Sequence, residues 1–107
     1  MSNNRFNLYK NSIDKLLTNL PDELFEKSIK LIKKTVNKKG KVYLVGNGGS
    51  SSIASHVSVD FAKIANVPSA TFNNANLITC LANDYGYENW VVEAIKSYLN
   101  SNDMIIL

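Results

Sequence analysis

Two groups of residues in this chain have the type and spacing to do chemistry. The first is Gly46-Asn47-Gly48-Gly49-Ser50-Ser51-Ser52, which follows the apolar run Val42-Tyr43-Leu44-Val45. An apolar run that breaks into glycines, and glycines that break into serines, read as a strand entering a tight turn that opens a helix. Such a turn aims backbone N–H groups and hydroxyls at one point, at the positive end of the helix, and so suits an anion, a phosphate above all. A plain strand–helix turn with serine as N-cap takes only one serine and one glycine; three serines after two glycines exceed that need. The second group is His56 and Asp60, four residues apart and therefore stacked on one face of the same helix. A His-x-x-x-Asp pair can reach one metal ion, but two ligands from one helix make half a site. The bland alternatives are a helix-flank histidine bonded to a carbonyl and a surface aspartate paired with Lys63.

Two familiar phosphate loops do not fit the turn. The dinucleotide fingerprint requires a third glycine at position 51, which is Ser51, and an acid about twenty residues on, which is missing. The nucleotide P-loop requires a Gly-Lys-Ser/Thr ending, and no lysine is present. No nucleotide cofactor is expected.

The elements that position these residues follow from periodicity. Phe6, Tyr9, Ile13, Leu16, Leu17 and Leu20 recur at helical spacing, Pro21 resets the chain, and Phe25, Ile29, Ile32 and Val36 form a second stripe that Gly40 is placed to end. Residues 1–40 thus read as a helical hairpin that packs on something larger, and residues 41–107 as a separate α/β part. There, strands are expected at 41–45, 67–72 and from 104, with helices over 50–65, 77–82 and 90–99. Ile53, Val57 and Phe61 are taken as the inner stripe of the first of these helices. Asn83 to Tyr87 reads as a loop. Asn73, Asn74 and Asn76 fit a turn and helix cap. Tyr85, Tyr87 and Trp90 read as core packing rather than as walls of a pocket, and Cys80 as an inert core residue. The alternation predicts a doubly wound parallel sheet preceded by the hairpin. Because Met104-Ile105-Ile106-Leu107 reads as a core strand with no covering helix, the chain is expected to be the N-terminal part of a longer domain.

With 107 residues, 45% of them hydrophobic, the chain can build one small core. No apolar run approaches the roughly 18 residues of a membrane span, the N-terminus lacks a secretory core, and one cysteine cannot form an internal disulfide. A cytoplasmic protein is expected. The net charge of +3 is uneven, since residues 1–41 carry ten of the twelve Lys/Arg and four of the nine Asp/Glu. No aromatics interleave with these lysines, so they read as a solvated helix face rather than a nucleic-acid surface.

Gly46-Asn47-Gly48-Gly49-Ser50, His56 at its distance from that turn, and Ala82-Asn83-Asp84-Tyr85-Gly86 together resemble the sugar isomerase (SIS) domain family, and within it the phosphoheptose isomerases. The resemblance runs from the hairpin to Leu107 and covers about the first half of such a protein. It implies a flavodoxin-like sheet, conversion of sedoheptulose 7-phosphate to glycero-manno-heptose 7-phosphate through an enediolate, and a place in heptose synthesis for lipopolysaccharide or capsule. It implies substrate contacts from Asn47, Gly48, Gly49, Ser50, Ser51, Asn83 and Asp84. Asp60 stands where these enzymes carry a catalytic glutamate. In some members the histidine and glutamate of this helix bind zinc, which His56 and Asp60 would do here. The family's second serine-rich phosphate loop and its acid histidine would lie beyond Leu107, and its arginine after the helix is replaced, with Ile64 at that position and Lys63 one residue earlier. A homotetramer is implied, with sites built from more than one subunit and the hairpin of residues 1–40 as the assembly surface. The contrasting reading is a non-catalytic SIS protein that binds a sugar phosphate or a protein partner such as the replication initiator; the aspartate and the basic first helices lean that way. An inactive truncated product is a third reading.

Overall fold

The computed structural model describes residues 2–107. The chain divides into two compact units, one ending at Lys30 and one spanning Leu31–Leu107. The first holds α1 (Ser2–Thr18) and the beginning of α2 (Asp22–Asn37). Asp22 and Glu23 occupy the first turn of α2, where acids meet the positive helix end. The stripe residues Phe6, Tyr9, Leu16, Leu17, Phe25 and Ile29 are all exposed.

The second unit is a parallel sheet of β1 (Val42–Leu44), β2 (Ser69–Thr71) and β3 (Met104–Ile106), in the order β2-β1-β3. Val42 pairs with Ser69 on one side and Met104 on the other. The strands are shorter than the sequence suggests, but the flanking Val45, Val67 and Phe72 are buried as expected. Alternation along β1 divides the core in two. Val42 and Leu44 face Ile32 and Val36 of α2, and Ala54, Val57 and Phe61 of α3 (Gly49–Lys63). Tyr43 and Val45 face the opposite layer, α4 (Ala75–Tyr85) and α5 (Trp90–Tyr98), where Trp90 and Ala94 are buried. Phe72, 2% exposed, stacks on Tyr43 with ring centroids 5.1 Å apart. Burial pushes the Tyr43 phenol pKa up, helped by the charge of Asp103. Helices on both faces of a parallel sheet make the doubly wound fold that the periodicity predicts.

Three expectations are corrected. Ile53 lies on the outer face of α3 and is 66% exposed; the buried stripe is Ala54, Val57 and Phe61. Cys80 is exposed rather than in the core, with its Sγ 3.8 Å from Asp84 Oδ2. Asn83, Asp84 and Tyr85 are the last turn of α4, not a loop, because Gly86 at φ 88° supplies the stop only after them. A short 3-10 turn, Tyr87–Asn89, then leads into α5.

Gly40 does end α2, but the left-handed residue is Lys39, at φ 58°. Gly40 is required instead by proximity, since a Cβ there would lie 2.0 Å from the carbonyl oxygen of Asn102. The same corner is closed by Asp103. Its carboxylate accepts the N–H groups of Asn100 and Lys41, each at 2.8 Å. The Asn100 N–H, and next the Lys41 N–H, hold that carboxyl below the usual range against the opposing effect of burial.

Candidate anion and sugar site

From the carboxyl end of β1 the chain leaves through α3 on one face of the sheet, and it returns to β3 through α4 and α5 on the other. The turn after β1 therefore sits where the crossovers part, the usual ligand crevice of open α/β sheets. Gly46 lets the first turn of α3 pack against the strand end, as a Cβ would lie 2.4 Å from the carbonyl carbon and oxygen of Ser50. Gly48 takes φ 56° and ψ −124°, a conformation closed to most L residues, and serves as the N-cap. The N–H groups of Ser50 and Ser51 close back on the carbonyls of Asn47 and Gly48, each at 3.1 Å. Among the described residues the Gly48 and Gly49 N–H groups have no intrachain acceptor. No serine caps the helix; Ser51 Oγ donates to Gly48 O, and the Ser50 side chain is exposed. The turn thus offers two backbone donors and a hydroxyl at a helix N-terminus, a suitable cradle for an anion.

Asn73, just past β2, fastens this helix start. Its Nδ2 donates to Ser51 O at 2.7 Å and to Ser55 Oγ at 2.6 Å. Nearby Asn74 caps α4, as the cap reading expects, accepting the N–H groups of Asn76 and Leu77.

A cavity of about 450 Å³ opens beside the turn, lined by Gly46, Asn47, Ser50, Tyr87, Glu88 and Leu107 among others. Here the structure adds a residue the sequence reading assigned to the core. Tyr87 is exposed, and its hydroxyl donates to Asn47 Oδ1 at 2.9 Å across forty residues of sequence. Tyr85 is likewise exposed, against the same expectation, whereas Trp90 is core, as expected. Glu88 places a carboxylate on the same wall. A tyrosine after a glycine carries no periodic signal, and the two residues meet only through the tertiary fold.

His56 and Asp60 project together from the outer face of α3, with Nε2 3.4 Å from Oδ2, and the side chains 80% and 44% exposed. Asp60 therefore pairs with His56 rather than with Lys63. Among the described residues no group of three or more His, Cys, Asp or Glu is placed to hold a metal ion. The pair supplies two ligands, which does not complete a tetrahedral zinc site. Asn83 and Asp84, both exposed on α4, bond to one another through Nδ2 and Oδ1 at 3.1 Å. Gly46, Asn47 and Ser50 of the turn share one cavity with Tyr87; Gly48, Gly49 and Ser51 stand next to it in the turn without lining it, and its lining includes neither His56, Asp60, Asn83 nor Asp84.

No protein-family model matches the chain. The phosphoheptose isomerase of Thermodesulfovibrio yellowstonii is 31% identical over 98 residues, covering 79% of this chain and 49% of that protein. The phosphoheptose isomerase of Helicobacter pylori (strain ATCC 700392 / 26695) is 31% identical over 107 residues, covering 94% of this chain and 55% of the relative. Among solved structures, phosphoheptose isomerase GmhA from Neisseria gonorrhoeae superposes with a TM-score of 0.83 over 97% of this chain and 58% of its own, at 18% identity. That likeness establishes the fold. The chain spans about half the length of the curated relatives it matches.

Proposed function

We propose that this chain, similar in sequence and in fold to the N-terminal part of the phosphoheptose isomerases, is the phosphate-binding and base-carrying half of a SIS-domain sugar-phosphate isomerase. The substrate would be sedoheptulose 7-phosphate and the product glycero-manno-heptose 7-phosphate, made in the cytoplasm for surface polysaccharide. One observation carries the reading: the Gly46–Ser51 turn stands at the carboxyl edge of a doubly wound sheet with two unspent N–H groups beside a cavity of about 450 Å³. Such a cavity suits a small phosphorylated ligand.

In the reaction, a carboxylate removes a proton from C1, next to the C2 carbonyl, and the electrons move to the carbonyl oxygen to give an enediolate. Transfer of the O1 hydroxyl proton to O2, and return of the abstracted proton from the carboxyl group to C2, gives the aldose and restores the carboxylate. We assign the base to Asp60, an exposed carboxylate with His56 beside it. At 1.5 Å per residue, His56 lies about 10 Å and Asp60 about 16 Å along α3 from Gly49. A seven-carbon sugar phosphate hardly spans the larger distance, which supports a site where Asp60 of one subunit serves the turn of another, as a homotetramer would provide. Asn83 and Asp84 would contact sugar hydroxyls. His56 and Asp60 are the residues that zinc would use, but two ligands do not make its site, and no step is routed through a metal.

The test is turnover. The chain, and the chain joined to the C-terminal half of a relative, are incubated with sedoheptulose 7-phosphate and the sugar signals followed by NMR. The expected result is an aldoheptose phosphate that Asp60→Asn abolishes. Asp60→Glu would raise the rate, because a displacement of about 1 Å can cost on the order of 100-fold. Binding without turnover in both forms would refute the isomerase and leave a sugar-phosphate-binding protein.

A further inference from the structure

The Asn47–Tyr87 bond does more than close the edge of the cavity. A carboxamide presents an acceptor at one end and two donors at the other, and on an exposed turn it is free to rotate. Here the acceptor end is turned to Tyr87: Asn47 Oδ1 takes its hydroxyl at 2.9 Å. The tyrosine is itself held from both sides. Gly86, at φ 88° and ψ 146°, turns the chain out of α4 just before it. After it, Asn89 Nδ2 donates to Tyr85 O at 2.8 Å, and the buried Trp90 anchors the start of α5. The hydroxyl is thus presented by a braced 3-10 turn rather than by a loose loop.

We propose that Tyr87 is a positioning residue of the ligand site, fixing the Asn47 carboxamide so that its Nδ2 faces the cavity. Position 47 then offers a donor, and it selects a hydrogen-bond acceptor on the carbon chain of the ligand, such as a carbonyl oxygen. The phosphate falls to the Gly48 and Gly49 N–H groups, one residue further on. The inference rests on the sugar-phosphate reading, and it adds that the turn has two separable parts: a backbone part that holds phosphate, and a side-chain part, set by Tyr87, that reads the sugar.

The experiment uses the ¹⁵N-labelled full chain and its Tyr87→Phe variant, which keeps the ring and removes only the hydroxyl. Each is titrated with sedoheptulose 7-phosphate and, separately, with inorganic phosphate, and the Asn47 side-chain amide resonances are compared before any ligand is added. The expected result is affinity for the sugar phosphate reduced about fivefold, the effect of one neutral hydrogen bond, with inorganic phosphate bound equally by both proteins. The Asn47 side-chain resonances move on substitution. A merely structural tyrosine would weaken both ligands together, and that result overturns the proposal, as does an unchanged affinity for the sugar phosphate. If neither ligand perturbs the wild-type chain, the sugar-phosphate reading fails and the proposal falls with it; if both ligands bind the wild type and Tyr87→Phe binds them equally well, the proposal alone fails.

Discussion

The three glycines of the anion turn look alike in sequence, yet alanine should be costly at two of them, for different reasons, and harmless at the third. At Gly46 an added Cβ would lie 2.4 Å from the Ser50 carbonyl carbon and oxygen and 2.7 Å from the Ser51 nitrogen. These are backbone atoms of the first turn of α3, so no side chain can swing aside. Ordinary contact would require that turn to retreat by about 1 Å, against a helix tied down by Asn73. Forced overpacking of this kind costs about 1–3 kcal/mol. For a domain of this size each kcal/mol lowers Tm by roughly 4–8 °C, so Gly46→Ala should melt roughly 5–20 °C below wild type. At Gly48 nothing lies within 4 Å of the added carbon, but φ is +56°, and the backbone strain alone costs about 1–3 kcal/mol. At Gly49 there is open space and no unusual φ. Alanine there should be neutral, or stabilising by about 0.4–1 kcal/mol through a stiffer unfolded chain. Thermal unfolding followed by circular dichroism and by the fluorescence of Trp90 measures all three. The reasoning is refuted if Gly49→Ala melts as low as Gly46→Ala, or if Gly46→Ala melts within a degree or two of wild type.

Asp103→Ala should destabilise the fold by about 1–2 kcal/mol, since two backbone N–H groups lose their acceptor. Because the folded carboxyl is depressed, its contribution is fully present above the unfolded pKa of about 3.9 and is lost as pH falls through the folded value. Urea titrations from pH 7 downward should show the wild-type advantage over Asp103→Asn hold above about pH 4 and shrink as the pH falls further, and an advantage that does not shrink below pH 4 would refute the assignment. His56→Gln and Asp60→Asn should each change stability by less than about 0.5 kcal/mol, because the pair is exposed; a larger loss in a thermal melt would mean a structural role. Cys80 should react stoichiometrically with a thiol reagent in the native protein, with no denaturant, as its exposure requires; protection until unfolding would refute that placement.

Much of this architecture is legible in the sequence because the central strand is marked by burial on both faces. Val42 to Val45 is apolar at every position, and the structure uses both sides of it. The turn was readable because glycine and serine at a strand end have few other uses. What failed was rotational phase and helix length. Ile53 fits an apolar stripe with Val57 as well as Ala54 does, and only the packing of Ala54 against the sheet chooses between them. Asn83 and Asp84 have low helix propensity, yet they continue α4 because its stop signal, Gly86, comes later. The Tyr87–Asn47 contact could not be read at all, since it depends on the direction in which one glycine turns the chain.

The clamp at Asp103 joins residues 62 positions apart. β1 is the first strand in the sequence and the middle one in the sheet, so each of its edges waits for a different partner. Residues 42–71 can close a β–α–β unit early, with a short loop. The β1–β3 edge must close more than twice that length, at a greater entropic cost. The carboxylate that fastens it is therefore expected to engage late in assembly, after the rate-limiting step. Stopped-flow measurements on Asp103→Ala should accordingly show faster unfolding with little change in the folding rate, which would make this corner, far in sequence from the turn, the latch that sets how long the finished sheet endures.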